Sequence, residues 1–471
     1  MQVEQLYTNC LAQGAYYIES AGEAAIIDPM REVQPYIDMA AARGAKIKYV
    51  LETHFHADFV SGHLDLVRAT GAKLIFGPQA NTAYNAYNAE DGEVLKLGDI
   101  SITVLHTPGH TPESTTYLLK DEAGKDHAIF TGDTLFIGDV GRPDLAAKSD
   151  LTIQNLAGML YDSLQQKILP LADEVIVYPG HGAGSACGKN ISKETVSTVG
   201  VQRQMNYALQ PMSKEQFIEV VTDGLETPPA YFPENVKLNK GGYEDISLIL
   251  ERNQKALSVS EFEAAAKDAL ILDTRTPDEY EQGHLPNSIN IGLNGQFAPW
   301  VGALISISQP LILVASEDKV YESVLRLARV GFTQVKGYLA GGVAAWEAAG
   351  KPVRKVASIT AEEIKHFPDQ EIIDVRRSTE YATDHIVGAK SLSLVELEER
   401  LDELDPAKPY IIHCAGGYRS MIAASMMKNK GFDHVTNVYG GFAAIKKVAG
   451  ITTESGACPN QLKREALLAK K

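Results

Sequence analysis

"THFHADFVSGH", residues 53–63, sets His54, His56, Asp58 and His63 directly after the apolar run "IKYVLE". A buried strand therefore empties into a polar loop at this point, which joins a rigid support to an open surface. His54, His56 and Asp58 alternate, and imidazole nitrogens with a hard carboxylate are the ligand set of zinc or non-heme iron. A polar loop that happens to contain histidine would explain one such residue; it does not explain the cluster.

The arrangement recurs outward from this stretch. "ISITVLHTPGHTP" runs into a corner that contains His110, and "FTGDTLF" delivers Asp133 at the far end of a hairpin turning at "DEAGKD". "EVIVYPGHG" carries Tyr178 and ends on His181. Strands are expected around "AYYIES", "AAIIDP" and "AKLIFG", with helices through "REVQPYIDMAAAR", closed by Gly44, from Val60 to Thr70, and from about Leu151 to Leu169. Each candidate ligand thus follows a strand. From Val201 to Glu251 the pattern is mixed, and "ETPPAYFPENVKLNKGG" has the Pro, Asn and Gly of an irregular connector whose aromatic residues pack it along the first domain.

The chain of 471 residues exceeds what one hydrophobic core supports, so two to four domains are expected. A hydrophobic share of 45% and a charged share of 22% are ordinary for a globular protein. The net charge of −16, without a basic run, argues against a nucleic-acid partner. Cys10, Cys187, Cys414 and Cys458 show no paired spacing, so neither a disulfide framework nor a Cys-based zinc site is indicated, and a reducing, cytoplasmic setting fits. The start "MQVEQLYTNC" lacks the pattern of a signal peptide, and no apolar run of ~18 residues marks a membrane span.

The second half repeats itself. "ILDTRTPDEYEQGHLPNSINI" aligns with "IIDVRRSTEYATDHIVGAKSL", matching Asp273 to Asp374, Arg275 to Arg376, Glu279 to Glu380 and His284 to His385. Two α/β domains of one fold account for this, and the expected boundaries are 1–250 with the connector, 256–353 and 356–455.

The order "HxHxD", "TPGHT", "TGD" and "PGHG" strongly resembles the metallo-β-lactamase superfamily over residues 1–200. That resemblance implies an αββα sandwich with metal at one edge. Binuclear hydrolases of the superfamily, such as hydroxyacylglutathione hydrolase, carry "HxHxDH", whose last histidine binds a second metal, whereas this chain has Phe59 there. The domain resembles the persulfide dioxygenases more closely. In them the first histidine of the motif, the "TPGH" histidine and the "TGD" aspartate form a facial triad on Fe(II), which gives His54, His110 and Asp133, with one iron per domain. "GDVGRPDL" also matches that family and suggests that Arg142 contacts substrate, the alternative being that Arg142 braces its own loop through Asp144. His56, Asp58 and His181 would orient ligands or substrate. Tyr178 and Cys187 join Arg142 as substrate-binding candidates, Cys187 either relaying sulfur or lying buried and inert. His63 and His106 are expected to be structural.

In "YIIHCAGGYRS" Cys414 follows a buried strand and precedes a helix beginning near Arg419, so small residues let backbone N–H groups and the helix dipole stabilise a thiolate or persulfide. This "CxxxxR" loop, with "DVR" upstream, resembles the rhodanese sulfurtransferases, which implies that Cys414 carries sulfane sulfur and Arg419 helps hold the acceptor. The first repeat reads "LILVASEDKVYES" at the matching place, with Val314 or Ala315 where the cysteine should be, and is expected to be a structural or docking module. The resemblances together imply a bifunctional, homo-oligomeric sulfur enzyme: a persulfide dioxygenase that uses O2 and releases sulfite, followed by two rhodanese-like α/β domains that pass sulfur on to give thiosulfate. The rivals are a binuclear zinc thioester hydrolase and a persulfide carrier without oxygenase activity.

Overall fold

The apolar runs build two six-stranded sheets in the first half of the chain. In the first, β1 (Gln2–Thr8), β2 (Gln13–Ser20), β3 (Glu23–Ile27), β4 (Lys46–Glu52), β5 (Lys73–Phe76) and β6 (Tyr87–Asn88) lie in sequence order, antiparallel up to β3 and parallel from there on. The second contains β7 (Val94–Leu97), β8 (Ile100–His106), β9 (Thr115–Lys120), β10 (Asp126–Gly132), β11 (Ile176–Pro179) and β12 (Ser197–Thr198). The computed structural model describes residues 1–456, so Cys458 lies outside the described residues.

Side-chain alternation explains why β2 and β3 of the first sheet are apolar on both faces. Tyr16, Ile18, Ala25 and Ile27 join Ile102, Val104, Tyr117 and Phe130 in the core between the sheets. Ala15, Tyr17, Ala24 and Ile26 face the other way, onto Tyr36, Ala40 and Leu66 of the covering helices. The helix read from Arg31 starts only at Gln34, with proline in its first turn, where a missing N–H costs nothing. The long helix read to Leu169 is α-helical over Ile153–Ser163 and then widens to a π-turn over Leu164–Ile168, which keeps Leu164 and Ile168 buried.

The first unit takes Met1–Leu248 together with Ala328–Gly331; the rest, from Ile249, forms a second unit. There, β13 (Ala256–Leu257), β14 (Leu270–Asp273), β15 (Ser288–Asn290), β16 (Leu311–Val314) and β17 (Val335–Leu339) make a parallel sheet in the order 13-17-16-14-15. It is followed by β18 (Ala357–Ile359), β19 (Glu371–Asp374), β20 (Asp384–Ile386), β21 (Lys390–Ser391), β22 (Tyr410–His413), β23 (Val435–Val438) and β24 (Thr453–Ser455). Their parallel sheet, 18-23-22-19-21, has the same topology, while β20 and β24 pair separately. The central strands β16 and β22 are fully buried, as parallel strands covered on both faces must be.

The matched residues of the repeats occupy matched roles. Arg275 grips Asp273 through two nitrogens, and Arg376 does the same to Asp374. Tyr280 stacks on His284 with ring centroids 3.9 Å apart, and Tyr381 on His385 at 3.9 Å. Among the described residues no helix is long and apolar enough to cross a membrane.

Candidate metal centre and sulfur loop

Strand direction gathers the ligand candidates. β10 and β11 are parallel neighbours with Gly132 opposite Pro179, so Asp133 and His181 leave the sheet side by side. The first sheet is tied in at the same end, where the Thr115 N–H donates to Thr53 O at 2.8 Å and Tyr117 Oη to Glu52 O at 2.8 Å. Glycines permit this crowding. A Cβ on Gly180 would lie 2.6 Å from Asp133 Oδ1, and one on Gly141 would lie 2.9 Å from His110 Nδ1.

His54, His110 and Asp133 are buried, and their ligand atoms lie within 4.8 Å of one another. His110 Nε2 is 3.4 Å and His54 Nε2 3.8 Å from Asp133 Oδ2. The outer atom of each group is fixed by a different partner. His110 Nδ1 donates to Arg142 O at 2.9 Å, which leaves Nε2 as the lone-pair nitrogen. Thr53 Oγ1 gives its proton to Asp28 and so accepts from His54 Nδ1 at 2.9 Å, with the same result for His54. Asp133 Oδ1 accepts from His181 at 2.8 Å. The inner atoms His54 Nε2 and Asp133 Oδ2 are buried without a hydrogen-bond partner. A buried polar atom left so is costly unless something else meets it. Two imidazoles, each with its outer nitrogen held from behind, and a carboxylate converging in this way fit a divalent metal ion.

His181 sits between two carboxylates, its second nitrogen 2.8 Å from Asp58 Oδ2. Burial opposes charging it, but Asp133 and Asp58 outweigh burial and hold its pKa well above the usual value, so the ring is an imidazolium. Asp133 runs the other way: burial would raise its pKa, yet His181 and His54 hold it well below the usual carboxylate range. His54 is kept neutral by burial and by neighbouring His56.

The other site candidates divide. His56 turns away from the convergent three, its Nε2 3.2 Å from Asp28 Oδ1 and 3.6 Å from Glu52 Oε2, with the Phe59 ring 4.3 Å from its own. Cys187, Asp58 and His181 bring donor atoms within 4.8 Å of one another in a separate group. Burial pushes the Cys187 thiol well up, and the charges of Asp58 and Asp133 push it further, so it is a thiol at neutral pH. Arg142 is buried with its guanidinium on both oxygens of Asp144, at 2.7 Å each, and on Glu226 O. Tyr178 is not brought to the cluster: its ring stacks on Phe130 at 5.1 Å and packs against the core between the sheets. His63 bonds Tyr84 Oη at 2.8 Å and His106 bonds Pro112 O at 2.9 Å.

Sequence reasoning missed the back of the motif loop. Asn239, buried in the helix Phe232–Gly241, donates to His56 O at 2.8 Å and Phe59 O at 2.9 Å and accepts from Ser61 N at 3.0 Å. Tyr231 Oη reaches Asp58 O at 3.2 Å. No motif marks either residue; the proline-started helix in the connector is the one signal available.

In the second repeat Cys414 immediately follows β22, buried, and Gly417 N–H donates to its Sγ at 3.1 Å. Gly417 caps the helix Tyr418–Asn429 at φ 104°, a backbone region that favours glycine, so the helix N-terminus faces the sulfur. Ser420 Oγ lies 3.5 Å from Sγ. Arg419 is held by Glu380 through two bonds of 2.6 and 2.8 Å, a pairing the sequence reading did not anticipate. The matching end of β16 carries Val314 and Ala315 and has no thiol.

Comparison with known proteins matches residues 9–181 to the metallo-beta-lactamase superfamily and residues 258–349 and 360–448 each to the rhodanese-like domain. The cytoplasmic hydroxyacylglutathione hydrolase of Arabidopsis thaliana is 33% identical over 36% of this chain and 65% of its own length. The human mitochondrial persulfide dioxygenase ETHE1 is 31% identical over 42% of this chain and 71% of its own. A crystal structure described as a metallo-beta-lactamase from Staphylococcus aureus superposes with a TM-score of 0.64 at 29% identity, covering 72% of this chain and 98% of that one.

Proposed function

The chain belongs to the metallo-β-lactamase superfamily and carries two rhodanese-like domains in series, and from that premise we propose that it oxidises a low-molecular-weight persulfide with O2 and transfers sulfane sulfur at Cys414. The observation that carries this reading is the convergence of His54 Nε2, His110 Nε2 and Asp133 Oδ2, two of these atoms buried without another partner. Two imidazoles and one carboxylate are the facial set of non-heme iron, and Fe(II) bound there would supply the oxygen chemistry. Phe59, fully buried against His56, removes the imidazole that a second metal would use.

The chain's own groups do the rest. Thr53, the Arg142 carbonyl and His181 orient the three ligands from outside, and the imidazolium of His181 offsets the charge of Asp58 and Asp133. With a single carboxylate among the ligands, a divalent ion keeps a net positive charge that suits a persulfide anion. The stoichiometry is RSSH + O2 + H2O giving RSH, sulfite and two protons. At the second site the Cys414 thiolate takes the outer sulfur of another persulfide and releases its thiol. Sulfite then attacks that sulfur, leaving thiosulfate and the free thiolate. Linkage in one chain raises the effective concentration of sulfite at Cys414. We place the reaction in the reducing cytoplasm, with the enzyme as a homo-oligomer to be sized by light scattering.

The test is persulfide-dependent O2 uptake by protein purified without air, with metal content measured on the same sample. Iron near one equivalent per chain with uptake supports the reading. The Cys414→Ser variant should keep sulfite release and lose at least ~100-fold of thiosulfate formation, as expected when a covalent nucleophile is removed. A second reading, a zinc thioester hydrolase, is favoured by the separate Asp58, His181 and Cys187 group. Two zinc ions per chain, thioester cleavage and no O2 uptake would establish it instead.

A further inference from the structure

We propose that the cysteine-free repeat positions the sulfur loop of its neighbour and that Tyr418 is the strut through which it does so, an inference that rests on Cys414 being the sulfur carrier. Tyr418 is the first residue of the helix Tyr418–Asn429 and is bonded directly to Gly417, whose N–H holds Cys414 Sγ at 3.1 Å. Its hydroxyl donates to Gly292 O of the first repeat at 2.7 Å. Its ring lies flush on Gly295, where a Cβ would come within 2.5 Å of ring carbons Cε2 and Cζ.

The receiving loop is itself clamped from within the first repeat. Arg326, only 7% exposed, donates to Leu293 O at 2.6 Å and to Gly295 O at 3.1 Å, and its guanidinium lies 5.4 Å from the centre of the Phe297 ring. A continuous chain of contacts therefore runs from the buried Arg326 through the loop 292–295 to Tyr418, and through one peptide to the amide that holds the sulfur. The same helix is bonded to the first repeat further along, where Ser425 accepts from Asn290 N at 3.1 Å and Asn429 donates to Ser288 O at 3.0 Å. These later bonds belong to the same interface but lie away from the sulfur. Simple packing of one repeat on the other would make all of them equivalent. Positioning makes Tyr418 special.

The experiment compares Tyr418→Phe, Gly295→Ala and Asn429→Ala in the full chain. Readouts are the rate of Cys414 alkylation by iodoacetamide at neutral and at high pH, followed by peptide mass spectrometry, and kcat and KM for sulfur transfer. A small misplacement of a reacting group costs roughly tenfold or more in rate. Tyr418→Phe and Gly295→Ala should accordingly lower kcat and neutral-pH alkylation by about tenfold, with KM and high-pH alkylation little changed, while Asn429→Ala stays within about twofold. Equal effects of Tyr418→Phe and Asn429→Ala, or none from either, would overturn the proposal. If Gly295→Ala lowers the melting temperature of the chain, Tyr418→Phe decides alone, since it removes one hydroxyl. A wild-type chain without Cys414-dependent transfer would refute the sulfurtransferase reading, and the alkylation comparison would still test the strut.

Discussion

Gly180 owes its identity to Asp133. A methyl group there would press on the oxygen that His181 holds, at 2.6 Å, and tilt the carboxylate that faces His54 and His110. Gly180→Ala is expected to weaken metal binding by about 10- to 100-fold, the usual cost of disturbing a partner that orients a ligand. Chelator competition monitored by metal content measures it. The candidates for this cluster were legible in the sequence, since His54, His110 and Asp133 each follow a strand and stand in recognisable short motifs, but strand position marked His56, Asp58 and His181 as well, and it is the fold that brings these three together. Tyr178 shows the limit of that logic. It stands three residues before His181, but its ring stacks on Phe130 in the core, a placement set by β11 pairing with β10, which spacing alone does not reveal. Arg142 is a mixed case: the pairing of its guanidinium edge with Asp144 was one of the two readings its loop offered, whereas its carbonyl oxygen, which no sequence motif advertises, accepts from His110 Nδ1.

At the scale of elements, the helix Phe232–Gly241 fixes the motif loop from behind. Asn239 satisfies two carbonyls and one amide of that loop, all buried. Asn239→Ala strands them, at a cost of about 2–4 kcal/mol, since each unsatisfied buried group costs on the order of 1–3 kcal/mol and relaxation recovers part. Urea unfolding of the first unit should show the loss, and metal content should fall with it. The strands were readable because their periodicity is local; the helix–loop bond was not, because its partners lie about 180 residues apart and depend on the finished fold. The two repeats were readable for a third reason. Their shared Asp–Arg pair and Tyr–His stack are fixed by short spacings that survive any change in the loop beyond them.

At the scale of the molecule, buried histidines set the acid limit. Burial, together with nearby positive groups, lowers His63 to about 3 and His284 to about 4, one ring in each unit. Both stay neutral in the folded chain and take up protons on unfolding, so their contribution is complete above ~6.5 and lost as pH falls toward 4. His181 acts oppositely: its contribution is whole below ~6.5 and is lost only as pH rises through its elevated value. Urea midpoints at pH 7.5 and 5 should therefore decline toward acid, and less so in a His63→Gln variant. The duplicated fold has a use at this scale as well. One molecule holds two copies of the same parallel sheet, one armed with a thiol and one not, in the same solvent and at the same concentration. Any exchange rate, oxidation product or label seen in both copies belongs to the scaffold, and anything seen in the second alone belongs to its sulfur. The protein carries its own blank.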